Sequence, residues 1–359
     1  MRTRVAVIGG SIAGAAVAGL LDPARFEVTL HEERPERREA GSSLALWPGA
    51  WRALDALGLT EAVRAESEVI TGGALRDATG LPLIEADVPM TLILRPRLLA
   101  LLDDAIPASV RRVDGRVEDP ASLPADLVVG ADGVRSIVRR SAFGEHLTPR
   151  LSPWLALRGL LPHPPAQAGE YWGRGDLAGV VPAPGGRTYW FTTHVSDLGS
   201  RPPGTNAWSR SLEVDAGEAL AEARAVFGAH PRRAPTVLQA LEHADPATTL
   251  AQRIYEAPPM RRLVHGRAVL VGDAAHAMTP NLGRGACEAL IDAHVLAGVL
   301  HRHDLGTALR IYEARRLAPG AVLRLASRAL MHAALSRRLA GPRDAAARAA
   351  GAVTAAVTG

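Results

Sequence analysis

The chain has 359 residues, 47% of them apolar and 22% charged, with a net charge of +4 at neutral pH. This is an ordinary globular composition, long enough for a large two-part core, and no stretch reaches the ~18 uninterrupted apolar residues of a spanning helix. All 41 basic residues are arginine, scattered among apolar neighbours without interleaved aromatics, which argues against nucleic-acid binding despite a pI near 9.9.

The first apolar run, VAVIGGSIAG at residues 5–14, holds the tightest cluster of glycines near the N-terminus. Val5 to Ile8 predict a short buried strand of mostly β-branched residues. Gly9 and Gly10 turn the chain, and a small, apolar helix begins at Ser11 and stops at Asp22-Pro23. A strand that feeds a helix through such a turn presents unpaired N–H groups and a positive dipole, which together cradle a pyrophosphate. A second strand, Phe26 to His31, ends at Glu32, 23 residues after Gly9. That is close to the ~20-residue offset at which an acidic side chain grips the ribose of an adenosine. The central glycine of the G-x-G-x-x-G pattern is here Ser11, small enough to keep the backbone near a phosphate. Arg2 and Arg4 ahead of an apolar run imitate a leader peptide, but Glu32 at the end of a second strand favours a folded βαβ unit.

Residues 33–43 are charged and read as a loop, and Pro48 to Leu57 as a helix ended by Gly58. Residues 68–97, with Gly72, Gly73, Gly80 and Pro89, read as a short β excursion, and Arg95 opens the next helix. In DLVVGADGVRSIVRR, Leu127 to Ala131 predict a buried strand, Asp132 and Gly133 its carboxyl end, and a helix starts near Val134. Ligands of open α/β sheets bind at such ends, but an Asp-Gly turn that merely caps the helix fits equally well. Residues 151–260 break into apolar runs bounded by Gly and Pro, which predicts an antiparallel sheet, with helix over 213–244. Seven of the 14 aromatic residues fall within 154–208, Trp154, Tyr171, Trp172, Tyr189, Trp190, Phe191 and Trp208. They suit either the wall of a pocket for a flat apolar ligand or the core of the sheet.

The longest signal is RAVLVGDAAHAMTPNLGRGACEALIDAHVLAGVL. Ala268 to Val271 predict a buried strand ended by Gly272-Asp273, and a loop with Pro280, Gly283 and Gly285 leads to a helix from about Ala286 to Leu300. An acid at a strand end can accept hydrogen bonds from sugar hydroxyls, and the helix start points N–H groups at an anion. Pro319 to Leu339 read as an amphipathic helix packed on the first domain, and an Ala-rich tail as frayed. Cys287 is the only cysteine, so no intrachain disulfide or thiolate cluster can form; this fits a reducing cytoplasm, and no metal site is expected.

Together these stretches resemble the flavin-dependent aromatic monooxygenases, the family typified by para-hydroxybenzoate hydroxylase and salicylate hydroxylase. The resemblance runs from about residue 4 to 316, through VAVIGGSIAG with Glu32, GADGVRSIVR (130–139), LVGDAAHAMTPNLGRGACEALIDA (270–293) and YEARR (312–316). It departs at Ser11, and at Arg284 and Cys287, where amide side chains are frequent in the family. It implies an α/β fold, a Rossmann-like FAD-binding domain with an inserted antiparallel-sheet substrate domain. The implied division is FAD domain at 1–70, 98–150 and 261–318, substrate domain at 71–97 and 151–260, and C-terminal helix and tail at 319–359.

By the same resemblance, Gly9, Gly10, Ser11, Ile12, Ala13, Gly14 and Glu32 bind the adenosine diphosphate half of FAD. Asp273 holds the ribityl chain, Arg95, Gly283, Arg284 and Gly285 lie at the flavin, and Asp132-Gly133 serve the pyrophosphate and the nicotinamide donor. Pro280 would face the substrate side of the ring, and His194 is a candidate substrate base beside Tyr189, Arg158 and Arg187. His276 would order its loop. The implied reaction uses NADPH or NADH to reduce FAD and dioxygen to form a flavin hydroperoxide, which hydroxylates a small aromatic or conjugated substrate. An epoxidase or oxidase of the same fold, or a non-catalytic binder, are the alternatives. The expected protein is a cytoplasmic monomer or homodimer without membrane insertion.

Overall fold

The computed structural model describes residues 2–34, 42–86, 89–200, 208 and 213–358. Residues 35–41 of the loop expected at 33–43 lie outside the described residues. The first apolar run forms β1 (Thr3–Ile8), α1 (Ile12–Leu20) and β2 (Phe26–Glu32) in succession. Ile12 to Ala18 of α1 are all buried, which is why the helix is apolar all round rather than amphipathic. Next come β3 (Ser43–Leu46), α2 (Pro48–Ala56), α3 (Thr60–Ala65), β4 (Ser67–Ile70), β5 (Gly73–Asp77), β6 (Pro82–Ala86), β7 (Met90–Leu94) and α4 (Arg95–Asp104). Strands β8 (Arg111–Asp114) and β9 (Leu127–Gly130) precede β10 (Arg150–Leu161), β11 (Gly169–Trp172), β12 (Asp176–Ala183) and β13 (Arg187–Val195). The chain closes with α5 (Ala216–Gly228), α6 (Pro235–Glu242), β14 (Leu250–Glu256), β15 (Val264–His265), β16 (Ala268–Leu270), α7 (Asp273–His276), α8 (Gly285–Leu300), α9 (Leu305–Ala334) and α10 (Ala340–Thr358).

Six strands form one sheet in the order β15-β16-β9-β1-β2-β8, parallel apart from β15. Its core gathers Val7, Val129 and Val269 with Val17, Leu98 and Leu290 from α1, α4 and α8. Seven strands form a second sheet, β14-β10-β13-β12-β11-β5-β6, antiparallel except for β11 against β5. The excursion is thus divided: β5 and β6 extend this sheet, while β7 lies between β3 and β4 in a separate three-stranded sheet. One face of the seven-stranded sheet (Leu155, Leu157, Trp190) packs on α5 and α6 through Phe227, Val237 and Leu241. Part of the other face (Trp154, Trp172, Leu177) meets Met331, Ala334 and Leu335 around the end of α9.

Three expectations are corrected. No helix begins at Val134: Gly133 turns at φ +77°, and helical turns start only at Ile137, passing into a π-helical turn at Arg139–Phe143. The Asp132 carboxylate accepts from the Ile137 N–H at 2.6 Å and the Val138 N–H at 3.3 Å, which delays the helix. Pro319 does not start a helix but sits inside the 30-residue α9. An interior proline costs ~3 kcal/mol; here it is exposed, while a buried stripe of Arg316, Gly320, Arg324, Ser327 and Met331 anchors the helix on both sides of it. The Ala-rich tail is α10, not a frayed end. It docks on β6 and β5, where Arg348 pairs with Asp77 at 2.8 Å and a Cβ on Gly351 would come within 2.6 Å of the Leu83 carbonyl.

Candidate active site

At the carboxyl ends of β1, β9 and β16 a cavity of about 2,020 Å³ opens and continues onto the seven-stranded sheet. It exceeds the ~300–1,000 Å³ of a single small-ligand site, leaving room for a dinucleotide and a second ligand. Ile8, Gly9, Ser11, Ile12, Ala13 and Glu32 line its first end. Gly9 is at φ +94°, and a Cβ there would meet the Ala131 carbonyl oxygen at 2.5 Å. Gly14 is tighter still, because its Cβ would lie 1.8 Å from the Gly9 carbonyl oxygen. Gly10 stands behind the wall and donates its N–H to Glu32 Oε2 at 2.7 Å, which ties the glycine turn to the end of β2. The first turn of α1 carries the donors a helix leaves unpaired, and these residues fit a bound pyrophosphate.

The Ser11 hydroxyl does not cap its helix. It accepts instead from the Arg95 guanidinium at 3.1 Å, and the Arg95 N–H donates to the Ser42 carbonyl at 3.0 Å. The serine in place of glycine therefore links the cradle to the start of α4. Asp132 and Gly133 border the cavity, and Asp132 also caps the turn behind them, so the capping role is met without taking the pair away from the cavity.

Asp273 is exposed to the cavity directly after Gly272. Enclosure by protein raises its pKa, and His276, Arg95 and Arg139 pull the other way. Pro280, Gly283, Arg284 and Gly285 line the same stretch of wall. Gly283 takes the left-handed conformation that turns the loop into α8. Arg284 pairs with Glu288 at 2.8 Å and stands over the Trp47 ring at 5.8 Å. Cys287 is buried, donates to the Ala45 carbonyl at 3.2 Å and accepts from the Trp47 N–H at 3.3 Å. Burial pushes its thiol up to about 11, so it is a packing residue.

His194 is not at the cavity. It is fully buried on the α5 side of β13, 3.5 Å from Glu222 and edge-on to Phe227. Side chains alternate along a strand: Trp190 and His194 face the helices, whereas Tyr189 and Phe191 line the cavity. Burial lowers the His194 pKa against the opposing pull of Glu222 and Asp176. Arg158 lines the cavity and Arg187 closes a hairpin turn onto the Pro184 carbonyl. Of the aromatics, Tyr189, Phe191 and Trp208 face the cavity, while Trp154, Tyr171, Trp172 and Trp190 are core.

Two groups of residues behind the wall complete the site. Arg139 is fully buried and donates to the carbonyls of Val134 and Ala274, joining the Asp-Gly segment to the Gly-Asp segment. Burial lowers its pKa to about 10, against the pull of Asp132 and Asp273. The second group is an ionic chain. Asp292 accepts from the Gly272 N–H at 2.7 Å, lies 2.6 Å from His276 Nε2 and takes Arg316 Nε on its other oxygen. Arg316 also reaches Glu288 at 2.6 Å. Burial depresses the His276 pKa, but Asp292 outweighs it and the value ends raised; burial lifts Asp292, but His276 and Arg316 outweigh it and the value ends lowered. A readable signal exists: Glu288 and Asp292 sit four apart on a helix that is apolar apart from them and His294, a spacing that puts two acids on one buried face.

A family model described as "FAD binding domain" matches residues 232–321. The aurachin C monooxygenase/isomerase of Stigmatella aurantiaca is 32% identical over 342 residues, covering 87% of this chain and 85% of that protein. The 3-amino-4-hydroxybenzoate 2-monooxygenase of Streptomyces cremeus is 30% identical, with 88% and 83% covered. The crystal structure of Klebsiella pneumoniae HpxO complexed with FAD and uric acid superposes with a TM-score of 0.80 at 25% identity, over 96% of this chain and 92% of that one. The chain belongs to the FAD-dependent aromatic monooxygenases, and its fold is the FAD-binding fold with a substrate sheet expected from the resemblance. Among the described residues no helix is long and apolar enough to cross a membrane, and no cluster suited to a metal ion occurs.

Proposed function

We propose that the protein is an NAD(P)H-dependent hydroxylase that inserts one atom of dioxygen into a small flat aromatic or conjugated compound. The observation that carries this reading is the continuity of one cavity from the glycine cradle to the aromatic face of the seven-stranded sheet. When bound, FAD supplies the electron transfer and oxygen chemistry. The chain's own residues bind and orient it. Gly9, Ser11, Ile12 and Ala13 offer backbone to the pyrophosphate, Glu32 holds the ribose, and Asp273 accepts from the ribityl hydroxyls. Arg95 and the N-terminus of α8 at Gly285 supply positive potential to the cavity, which would favour the negative charge of a reduced flavin held there. Asp132 and Gly133 border the entry for the nicotinamide donor. Pro280 bounds the substrate end, and Tyr189, Phe191 and Met331 exclude water from it.

Replacing Asp273 with alanine removes a charge-assisted acceptor worth about 1.5–3 kcal/mol. FAD affinity in a fluorescence titration should fall roughly tenfold to a hundredfold; unchanged affinity would remove Asp273 from the ribityl site. The function is tested by NAD(P)H consumption of FAD-loaded protein with a panel of phenols and heteroaromatics. Strong stimulation by one chemical class supports the hydroxylase. Steady consumption that ignores the panel and yields only hydrogen peroxide points to an oxidase.

A further inference from the structure

The cavity's sheet floor carries a charge that nothing in the reaction so far uses. Arg158, Phe191, Gly179 and Glu170 pair directly across β10, β13, β12 and β11, which sets them in one row on one face. Gly179 has no side chain, and the Phe191 ring lies across the space: a Cβ on Gly179 would be 2.0 Å from Phe191 Cζ. The two charged ends of the row are therefore three inter-strand steps apart, ~14 Å, and the floor between them is the Phe191 ring, flanked by Tyr189, whose ring centroid is 5.7 Å from that of Phe191.

Glu170 ends this row on the cavity wall, half-buried. The Trp172 indole N–H donates to its Oε1 at 2.5 Å, and its Oε2 takes no hydrogen bond among the described residues. The charged and titratable groups around it are engaged elsewhere or lie at the far end. Arg76 of β5 reaches Glu85 of β6 at 3.7 Å, Arg158 of β10 is held by Gln252 of β14, and Arg343 of α10 pairs with Asp344 while stacking on Trp172 at 5.2 Å. Tyr189 of β13 is the remaining titratable group on the floor.

We propose that Glu170 anchors the substrate: its Oε2 accepts a hydrogen bond from a ring O–H or N–H of a flat aromatic compound lying over Phe191. This deepens the proposed function and rests on it. The class of substrate follows from the row. It is an apolar aromatic with a hydrogen-bond donor on the edge that points to β11, and an acid group on that edge is repelled. Burial pushes the Glu170 carboxyl up to about 7, with the Trp172 N–H opposing the rise. Binding of a donor-bearing ring therefore weakens as pH falls below about 7 and is level above it.

The test uses FAD-loaded full-length protein and two probe pairs, 2-naphthol against 2-methoxynaphthalene and indole against 1-methylindole, titrated calorimetrically on both sides of pH 7. The wild type should bind the donor member roughly tenfold to a hundredfold tighter than its methylated partner. In Glu170→Gln the amide oxygen stays with Trp172 and an NH₂ faces the cavity, so the preference and the inflection near pH 7 should both vanish. FAD affinity should be unchanged, and Glu170→Asp should recover part of the preference. The assignment is overturned if the wild type does not discriminate within the pairs, if it binds neither member, or if Glu170→Gln keeps the preference. NAD(P)H consumption in the same samples reports separately on the function. Discriminating binding without any stimulation contradicts the hydroxylase and leaves the anchor standing; stimulation kept by Glu170→Gln at unchanged KM does the reverse.

Discussion

Gly14→Ala is expected to cost the protein its FAD. Alanine is the better helix former by about 1 kcal/mol, so a purely local argument predicts a stabilising change. The packing decides otherwise. The added Cβ would sit 1.8 Å from the Gly9 carbonyl oxygen and 3.2 Å from the Ala131 Cβ. Relief requires moving either α1 or the glycine turn, and the turn is pinned by the Gly9 N–H on the His31 carbonyl at 2.8 Å and by Gly10 on Glu32. Moving either one misaims the unpaired donors at the start of α1. Losing two charge-assisted hydrogen bonds, each worth about 1.5–3 kcal/mol, lowers FAD affinity at least about a hundredfold. A fluorescence titration measures it, and wild-type affinity in this variant would mean that the turn is not the cradle.

The second large effect is on stability. Asp292→Ala removes the acceptor shared by Gly272, His276 and Arg316 and leaves a buried guanidinium short of its counter-charge. Breaking a buried pair in this way costs about 3–5 kcal/mol, read as a fall in the urea midpoint. The pH dependence has a definite sign. The folded His276 pKa is raised, so its contribution is complete below the usual 6.5 and is lost as pH rises through the folded value. The folded Asp292 pKa is lowered, so its contribution is complete above the usual 3.8 and is lost as pH falls through the folded value. The gap between wild type and variant should therefore be widest between about pH 4 and 6.5 and should narrow on either side. A gap that widens steadily toward alkaline pH would contradict a charged His276.

The β1–α1–β2 unit was legible because each of its parts is dictated locally: a β-branched run, a glycine turn, an all-apolar helix and an acid at the right offset. The Gly-Asp loop was legible for the same reason. Side-chain partnerships across the chain were not, because Asp292 and Arg316 meet only when α8 packs on α9, and Arg95 meets Ser11 across 84 residues. His194 was misplaced although period-two alternation sets it with Trp190, opposite Tyr189 and Phe191. Pro319 misled because proline punctuates most helices, and only the anchors on both sides of it carry α9 through. Glu170 carries no signal in sequence, since its place on the floor depends on the register of four strands.

The measurement that tests the account most directly is mass spectrometry of product formed under heavy-isotope dioxygen. It uses FAD, NAD(P)H and whichever aromatic probe stimulates consumption most. The account predicts one labelled oxygen atom in the product ring for each turnover that is not lost to peroxide. An unlabelled product, or consumption that ends wholly in hydrogen peroxide with every stimulating probe, would contradict oxygen insertion as the reaction of this site.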